Sequence, residues 1–358
     1  MNLEAVRLAY ADVPDDPARA RGLPGVAYRD PDILEAERRR VLHAGWLPVA
    51  RLDALKSSGD YACADAAGEP VIALRGADGA VRVLSSVCRH RGLPVASGCG
   101  RVQALTCPYH LWRYGLDGRL LSAPGMKGSE VFDPASHSLP EFRAETWGGF
   151  VFVNIDGAAP PLAPALQPLA ERLAPLGLDR LVTVDQIELD SPWNWKVMVE
   201  NFLESYHHIG AHSGTLQVSH PGLGTFEGDG SDAFTLLENP PADPTGNGFL
   251  VAGVFPVGLL YVSEDPQPTA VWYQLEALQP QSFRLRIHLL AGPELAALPG
   301  FAEQMRMAVL AVHEEDIPMC QGVQAGVASG RYAPGPLSPL ERPLWRFHRH
   351  LASRLAGE

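Results

Sequence analysis

Between residues 45 and 156 the apolar residues come in short runs instead of helical repeats. Residues 71–74 and 81–84 are two such runs, and Gly76, Ala77, Asp78 and Gly79 between them carry a turn signal, which predicts a β-hairpin. Phe150–Asn154 reads as a closing strand. Upstream, Pro14, Pro17, Pro24 and Pro31 predict a largely extended lead-in, followed by a short charged helix over 33–42. Downstream, a Pro/Ala/Leu stretch over 160–175 with a helical middle marks a boundary. Beyond it, 181–189, 248–262, 270–278 and 282–290 predict strands, and 301–312 and 344–355 predict helices. Strand runs flanked by helices give an α+β class with a small all-β domain first. The domains expected are a lead-in over 1–44, a β domain over 45–156 and a larger domain over 157–358.

Chemistry enters with Cys88 and His90 and, after sixteen intervening residues, Cys107 and His110. Two thiolates and two imidazoles, spaced C-x-H and C-x2-H, make the ligand set of a Rieske [2Fe–2S] centre, with the cysteines on one iron and the histidines on the other. Each short motif suits a tight loop, and Tyr109 and Trp112 suit an apolar cover. Structural zinc takes the same ligand types, so spacing alone leaves it open, although zinc fingers usually begin with a wider Cys-x2-4-Cys pair. Cys63, Cys99 and Cys320 form no further ligand pattern and no disulfide framework, which predicts a reducing, cytoplasmic compartment.

A second constellation follows Trp195. Val197, Val199, Phe202, Leu203 and Tyr206 give the stretch before His207 a helical character. Glu204 and His207, three apart, would then share a helix face, with Tyr206 as packing. Gly210 ends that helix, and His212 turns back toward the same point. Two histidines and one carboxylate are the ligand set of non-haem Fe(II) oxygenases, which leave other positions open for O2 and substrate. His208 adjoins His207 as a rival ligand. Asn201 and His208 are candidates for supporting the ligands.

With both constellations in place, the chain resembles the α-subunits of Rieske non-haem iron oxygenases, a group of ring-hydroxylating oxygenases and demethylases. The resemblance extends over nearly the whole chain and includes the segment from Asp316 through Gln321. It implies a helix-grip catalytic domain, a sheet gripping helices, behind the Rieske domain. It implies Asp316 as third iron ligand beside His207 and His212, with Glu314 and Glu315 adjoining. The residues themselves also offer Asp316 as the cap of a helix starting near Ile317 and Pro318, a role that does not exclude the first. It further implies that Glu204 bridges His207 to His110 of the partner subunit, hence a homotrimer with electron transfer between subunits. Two departures stand out. Leu111 follows the last cluster histidine where the family often has Gly, and Glu204 stands where Asp is frequent.

Net charge is −12, which disfavours nucleic acid as a partner, and no run is long and apolar enough for a membrane span. Against that acidic background Arg89, Arg91, Arg101, Arg113 and Arg119 gather around the cluster motifs, either to dock an acidic electron donor or to brace loops. The chain has no dinucleotide fingerprint, so electrons from NAD(P)H must arrive through a separate reductase or ferredoxin. The expected activity is O2-dependent hydroxylation or demethylation of a small aromatic acid or quaternary amine. Cis-dihydroxylation, a pure Rieske electron carrier and a zinc-stabilised binding protein are the alternatives. Leu216, Val218, Phe255, Val257, Leu259, Tyr261, Trp272 and Tyr273 are the candidate pocket residues.

Overall fold

The hairpin expected around Gly76 to Gly79 forms, with Ala73 opposite Val83 and Leu74 opposite Arg82. It belongs to the β unit of the computed structural model, which describes residues 2–356 and divides into Trp46–Leu162 and a second unit made of the residues up to Gly45 and from Ala163 onward. In the β unit the strands are β1 (Leu47–Arg51), β2 (Asp60–Ala66), β3 (Glu69–Arg75), β4 (Val81–Ser85), β5 (Cys99–Arg101), β6 (Leu105–Thr106), β7 (Arg113–Tyr114), β8 (Leu120–Ser122), β9 (Glu141–Trp147) and β10 (Phe150–Asn154). Seven form one antiparallel sheet in the order β1-β10-β9-β4-β3-β2-β5, and β6-β7-β8 form a small second sheet. The first Cys/His loop leaves β4, and the second joins β6 to β7. Between them Ile72, Leu74, Leu84, Leu105, Trp112 and Tyr114 make one buried cluster that also contains Cys88 and Cys107.

The second unit is built on an antiparallel sheet in the order β11-β17-β16-β15-β14-β13-β12: β11 (Val182–Ser191), β12 (Phe226–Glu227), β13 (Phe234–Asn239), β14 (Phe249–Val254), β15 (Gly258–Ser263), β16 (Thr269–Gln279) and β17 (Ser282–Ala291). Its helices are α1 (Leu3–Tyr10), α2 (Pro31–Glu37), α3 (Leu162–Ala165, which begins at the unit boundary), α4 (Gln167–Leu173), α5 (Trp195–Phe202), α6 (Leu216–Ser219), α7 (Pro293–Ala296), α8 (Phe301–Val327) and α9 (Arg342–Leu355). Among the described residues no helix is long and apolar enough to cross a membrane.

Several expectations need correction. The lead-in is not extended throughout: Asn2 accepts the Ala5 N–H at 3.1 Å and starts α1, whose Val6, Ala9 and Tyr10 are buried. The prolines become relevant only after Tyr10. The single strand expected over 248–262 is the hairpin β14–β15, turning at Phe255 and the cis peptide to Pro256. Both strands are buried almost throughout, so no alternation marked the break. The C-terminal helix expected to stop at 312 continues to Val327 and passes through Pro318. Pro318 lies on the exposed side, as does Glu314, the residue whose carbonyl loses a partner. Asp316 is therefore an interior helix residue and not a cap.

Buried charge ties the lead-in to α5. Lys196 Nζ lies 2.7 Å from Glu37 Oε1, and both side chains are fully buried. Trp195 Nε1 donates to Glu37 Oε2 at 2.9 Å, and the Tyr10 hydroxyl donates to Glu37 as well. One turn along α5, Glu200 Oε1 accepts from the Tyr28 hydroxyl and from His348 Nε2, each at 2.8 Å. A buried ion pair holds only when its remaining polar groups are satisfied, and here tyrosine and indole donors complete the carboxylate. Asn194 caps the helix by accepting the Lys196 N–H at 2.9 Å, and its own N–H goes to Gln324 of α8 at 2.8 Å. Thus α5, which carries Asn201, is fixed at its start.

Candidate metal centres and the substrate cavity

The two Cys/His loops repeat one backbone scheme. The Gly92 N–H donates to the Cys88 carbonyl and the Leu111 N–H to the Cys107 carbonyl, both at 3.0 Å. The Cys88 N–H then meets the Leu93 carbonyl at 3.0 Å, and the Cys107 N–H meets that of Trp112 at 2.8 Å. Each loop folds back on its cysteine, burying the thiol while the histidines reach the surface. His90 Nδ1 and His110 Nδ1 face each other at 3.1 Å. His90 stacks on Trp112 with ring centres 4.9 Å apart. Burial raises the Cys107 thiol above its ordinary pKa and, together with His110 and Arg91, lowers that of His90. Two buried thiols and two convergent imidazole nitrogens are a donor set that fits a Rieske cluster.

Tyr114, which sequence reasoning passed over, completes this site. Its oxygen accepts the Arg89 N–H at 3.1 Å and lies 3.3 Å from Cys88 Sγ, so the phenolic hydrogen is free to point at the sulfur. A hydrogen bond to a ligand sulfur is one of the levers that set a cluster's potential. Of the five clustered arginines, all exposed, Arg101 pairs with Asp60 at 2.5 Å, Arg119 with Asp117 at 2.7 Å, and Arg91 lies over the Tyr109 ring.

In the other unit, the helix before His207 ends sooner than expected. α5 stops at Phe202, and Glu204 lies beyond it, ahead of a single 3-10 turn over Tyr206–Ile209. Glu204, one residue before the turn's N-cap Ser205, reaches His207 across the start of that turn and not as a neighbour on a helix face. One oxygen accepts the His207 N–H at 3.0 Å and the other lies 2.7 Å from Nδ1. Tyr206, expected to pack, is 42% exposed. His212 Nδ1 lies 2.6 Å from Glu315 Oε2, which also accepts the Thr215 hydroxyl at 2.6 Å. With both Nδ1 atoms engaged by carboxylates, each ring presents Nε2. Those nitrogens lie 3.6 Å (His207) and 3.1 Å (His212) from Asp316 Oδ1, and the three ligand atoms fall within 4.8 Å of one another. Asn201 Nδ2 donates to Asp316 Oδ1 at 3.2 Å.

The adjoining acids therefore separate. Asp316 is the acid grouped with the two Nε2 atoms, Glu315 holds His212 from the far side of its ring, and Glu314 is exposed. Burial works against the charged Asp316, yet its hydrogen bond to His212 and the nearby imidazoles hold its carboxyl below the usual range. Burial likewise opposes charging His212, but Asp316 and Glu315 outweigh it and raise its pKa. His208, the rival ligand, is buried and bonds the His220 carbonyl through Nδ1 at 2.9 Å, and burial pushes its pKa down to about 4. Two imidazoles and one carboxylate, each already oriented by a hydrogen bond, fit a ferrous ion with open positions.

A cavity of about 330 Å³ opens onto these residues. Its sheet wall follows strand alternation: Phe249 and Val251 of β14, Tyr261 of β15, and Thr269, Val271 and Tyr273 of β16. Val251, Tyr261 and Val271 sit opposite one another across the three strands. Phe202 follows from α5, and Met305, Val309, Val312 and His313 from α8. Of the candidates from sequence, Leu216, Tyr261 and Tyr273 line it. Trp272 has the opposite parity, and Val218, Phe255, Val257 and Leu259 do not take part.

Family models match the regions that contain both sites. The family model "Rieske [2Fe-2S] domain" matches residues 45–142, and "Ring hydroxylating alpha subunit (catalytic domain)" matches 178–277 and 242–357. The chain belongs to the Rieske ring-hydroxylating α-subunit family. Family membership selects the [2Fe–2S] cluster over zinc at the Cys/His loops. It is 35% identical over 211 residues to the glycine betaine monooxygenase oxygenase subunit of Chromohalobacter salexigens, covering 59% of this chain and 47% of that protein. It is 34% identical over 215 residues to the carnitine monooxygenase oxygenase subunit of Acinetobacter pittii, covering 59% and 58%. The chain thus spans about half the length of the curated relatives it matches. A solved quaternary ammonium Rieske monooxygenase, described in connection with carnitine oxidation and inter-subunit electron transfer, superposes with a TM-score of 0.85 at 25% identity over 96% of this chain and 97% of that one. Naphthalene 1,2-dioxygenase of Rhodococcus shares the fold, with a TM-score of 0.82 at 17% identity.

As a member of this family the chain carries one visible departure in its cluster loops. Leu111, in place of the frequent glycine, adopts a left-handed backbone with φ of +58°. The loop keeps its shape, and the side chain projects outward, 60% exposed.

Proposed function

We propose that this protein is the terminal oxygenase of a two- or three-component system that monooxygenates a small quaternary amine. The observation carrying this reading is the joining of a His207, His212 and Asp316 donor set to a cavity walled by Phe202, Phe249, Tyr261 and Tyr273. Aromatic faces attract a quaternary ammonium without hydrogen bonds. The relatives named for glycine betaine and carnitine support the same class. Hydroxylating one N-methyl group consumes O2, two electrons and two protons and yields the N-hydroxymethyl compound and water. Loss of formaldehyde then leaves the demethylated amine.

Cys88, His90, Cys107 and His110 would hold the cluster, and His207, His212 and Asp316 the iron; bound there, these groups supply one-electron transfer and O2 activation. The protein's own part is orientation. Glu204 and Glu315 each engage an Nδ1 and turn an Nε2 toward Asp316. Asn201 holds the Asp316 oxygen in place. The aromatic wall excludes water and keeps the substrate cation beside the three ligands.

Glu204 also suits a relay to His110 of the partner subunit in a homotrimer, with a separate NAD(P)H-dependent reductase or ferredoxin as donor. Exposed Arg89 and Arg113, neither with an acidic partner among the described residues, would favour an acidic donor. The test is anaerobic reconstitution followed by iron and acid-labile sulfide analysis, then O2 uptake with a surrogate reductase. Three irons and two sulfides per chain, with formaldehyde released from a trimethylammonium substrate, are expected. A cis-diol from an aromatic substrate as main product would overturn the reading, as would a colourless zinc protein.

A further inference from the structure

One polar side chain in the cavity has no task in the arrangement above. His313 lies one turn before Asp316 on α8, lines the cavity, and is 3% exposed. It makes no hydrogen bond, ion pair or ring contact with any described residue. Apart from the Tyr261 and Tyr273 hydroxyls, the other polar groups of the wall differ. Asn201 is engaged by Asp316, Ser205 by Asn239, His208 by the His220 carbonyl and Thr269 by Ser263. Buried polar groups are nearly always satisfied, and one that is not, in a cavity, calls for a ligand atom. Burial lowers the His313 pKa despite the acids nearby, so the ring is neutral at physiological pH and offers one N–H donor and one acceptor nitrogen. Around it on α8, Met305, Ala308, Val309 and Val312 are apolar. Within that helix's share of the wall, an incoming oxygen finds its donor at His313.

We infer that His313 is a substrate-binding residue whose ring N–H takes an oxygen acceptor of the substrate, carboxylate or hydroxyl, and so selects which quaternary amines the cavity accepts. This rests on the reading of the protein as a quaternary amine oxygenase and adds the second recognition point. The aromatic wall holds the cation, and His313 holds the oxygen-bearing end. A site built around a buried donor rejects an analogue lacking the acceptor far more strongly than an apolar wall rejects a change of shape, because the donor is left unpaired. The tyrosines offer a rival anchor, since the Tyr261 and Tyr273 hydroxyls also line the cavity without a hydrogen-bond partner among the described residues.

The experiment is anaerobic calorimetric titration of the iron-loaded holoprotein, without reductase, using glycine betaine against ethyltrimethylammonium, a cation of similar size with no oxygen. The wild type should bind glycine betaine at least about tenfold more tightly. His313→Leu should erase that preference while leaving ethyltrimethylammonium within about twofold. His313→Gln, which keeps an N–H donor, should retain part of it, and iron content of each variant guards against a collapsed site. Equal weakening of both ligands by His313→Leu, no weakening of either, or loss of the preference on Tyr261→Phe alone would each overturn the inference. The same variants are titrated with benzoate and toluene. If neither ammonium ligand binds the wild type but benzoate does, the proposed substrate class falls; His313→Leu abolishing the benzoate preference would then still uphold His313 as the anchor, and leaving it intact would refute it. Binding of none of the four refutes both.

Discussion

Leu111 holds the backbone station that Gly92 holds in the other cluster loop. Their φ values are +58° and +79°, and each N–H closes on the carbonyl of a cluster cysteine four residues earlier. For glycine this conformation is free, whereas for leucine it costs on the order of 1–2 kcal/mol. Because the Leu111 side chain is exposed, removing it sacrifices little packing. Leu111→Gly is therefore expected to stabilise the β unit by about 0.5–1 kcal/mol. Leu111→Val, β-branched at positive φ, should destabilise it. Loss of the cluster's visible absorbance during mild heating reads both outcomes: slower in the first, faster in the second.

Removing the hydroxyl near Cys88 should shift the cluster's potential. Tyr114→Phe deletes one hydrogen bond to a ligand sulfur and leaves the buried ring in place. A bond of about 1 kcal/mol corresponds to a fall on the order of 40–60 mV for one electron. Protein-film voltammetry measures it. An unchanged potential would mean that the phenol does not donate to sulfur.

Glu315 would act on the proposed iron through His212, whose Nδ1 it engages. Glu315→Gln keeps the size and a polar contact but removes the charge that orients the ring, so iron affinity should fall by roughly 10–100-fold. The Rieske absorbance should be untouched. Competition with a ferrous chelator is the measurement, and Glu314→Gln, at an exposed position, is the control.

The Glu37–Lys196 pair predicts an asymmetric double-mutant cycle. Lys196→Met leaves Glu37 buried with only Tyr10 and Trp195 and should cost about 3–5 kcal/mol. Replacing both residues by leucine should cost clearly less than the sum of the single changes. Urea unfolding of the four proteins decides it, and strict additivity would deny the coupling.

His350 sets one pH dependence. It is buried against Phe255, donates through Nδ1 to the Asp232 carbonyl at 3.1 Å, and burial, aided by Arg354, pushes its pKa down to about 4. An unfolded histidine titrates near 6.5. Between those values the unfolded chain takes up a proton that the folded chain refuses. Stability is thus full above about pH 6.5 and falls with decreasing pH at up to about 1.4 kcal/mol per unit until about pH 4. His350→Gln should lower that slope by one proton in urea titrations at several pH values.

The convergence of the candidate ligands was legible in the sequence where their spacing is local. Cys88 with His90, and Cys107 with His110, sit on loops of five or six residues, so order along the chain nearly dictates geometry. His207 and His212 were expected to converge for the same reason and they do, although the helix thought to lead into His207 ends at Phe202. Long-range partners were harder to read. Glu315 appeared only as a rival to Asp316, because telling them apart requires the rotation of α8 about its axis. Tyr114 and His313 carried no local signal: one is a strand residue seven positions beyond its loop's cysteine, the other a histidine on a mostly apolar helix face. Strand register explains the cavity. Tyr261 and Tyr273 line it while neighbouring Leu259 and Trp272 do not, and that choice depends on which strand lies across from which. Membership of β14 and β15 in the sheet interior removed the alternation that would have told the faces apart.

Glu37 waits for a partner 159 residues away. During synthesis at about 5–20 residues per second, its carboxylate has no lysine to meet for roughly 8–30 s, an interval in which the whole intervening β unit can emerge and fold. Synthesis from the N-terminus thus favours an order of assembly in which the β unit folds first and the earliest residues made are among the last to be locked down.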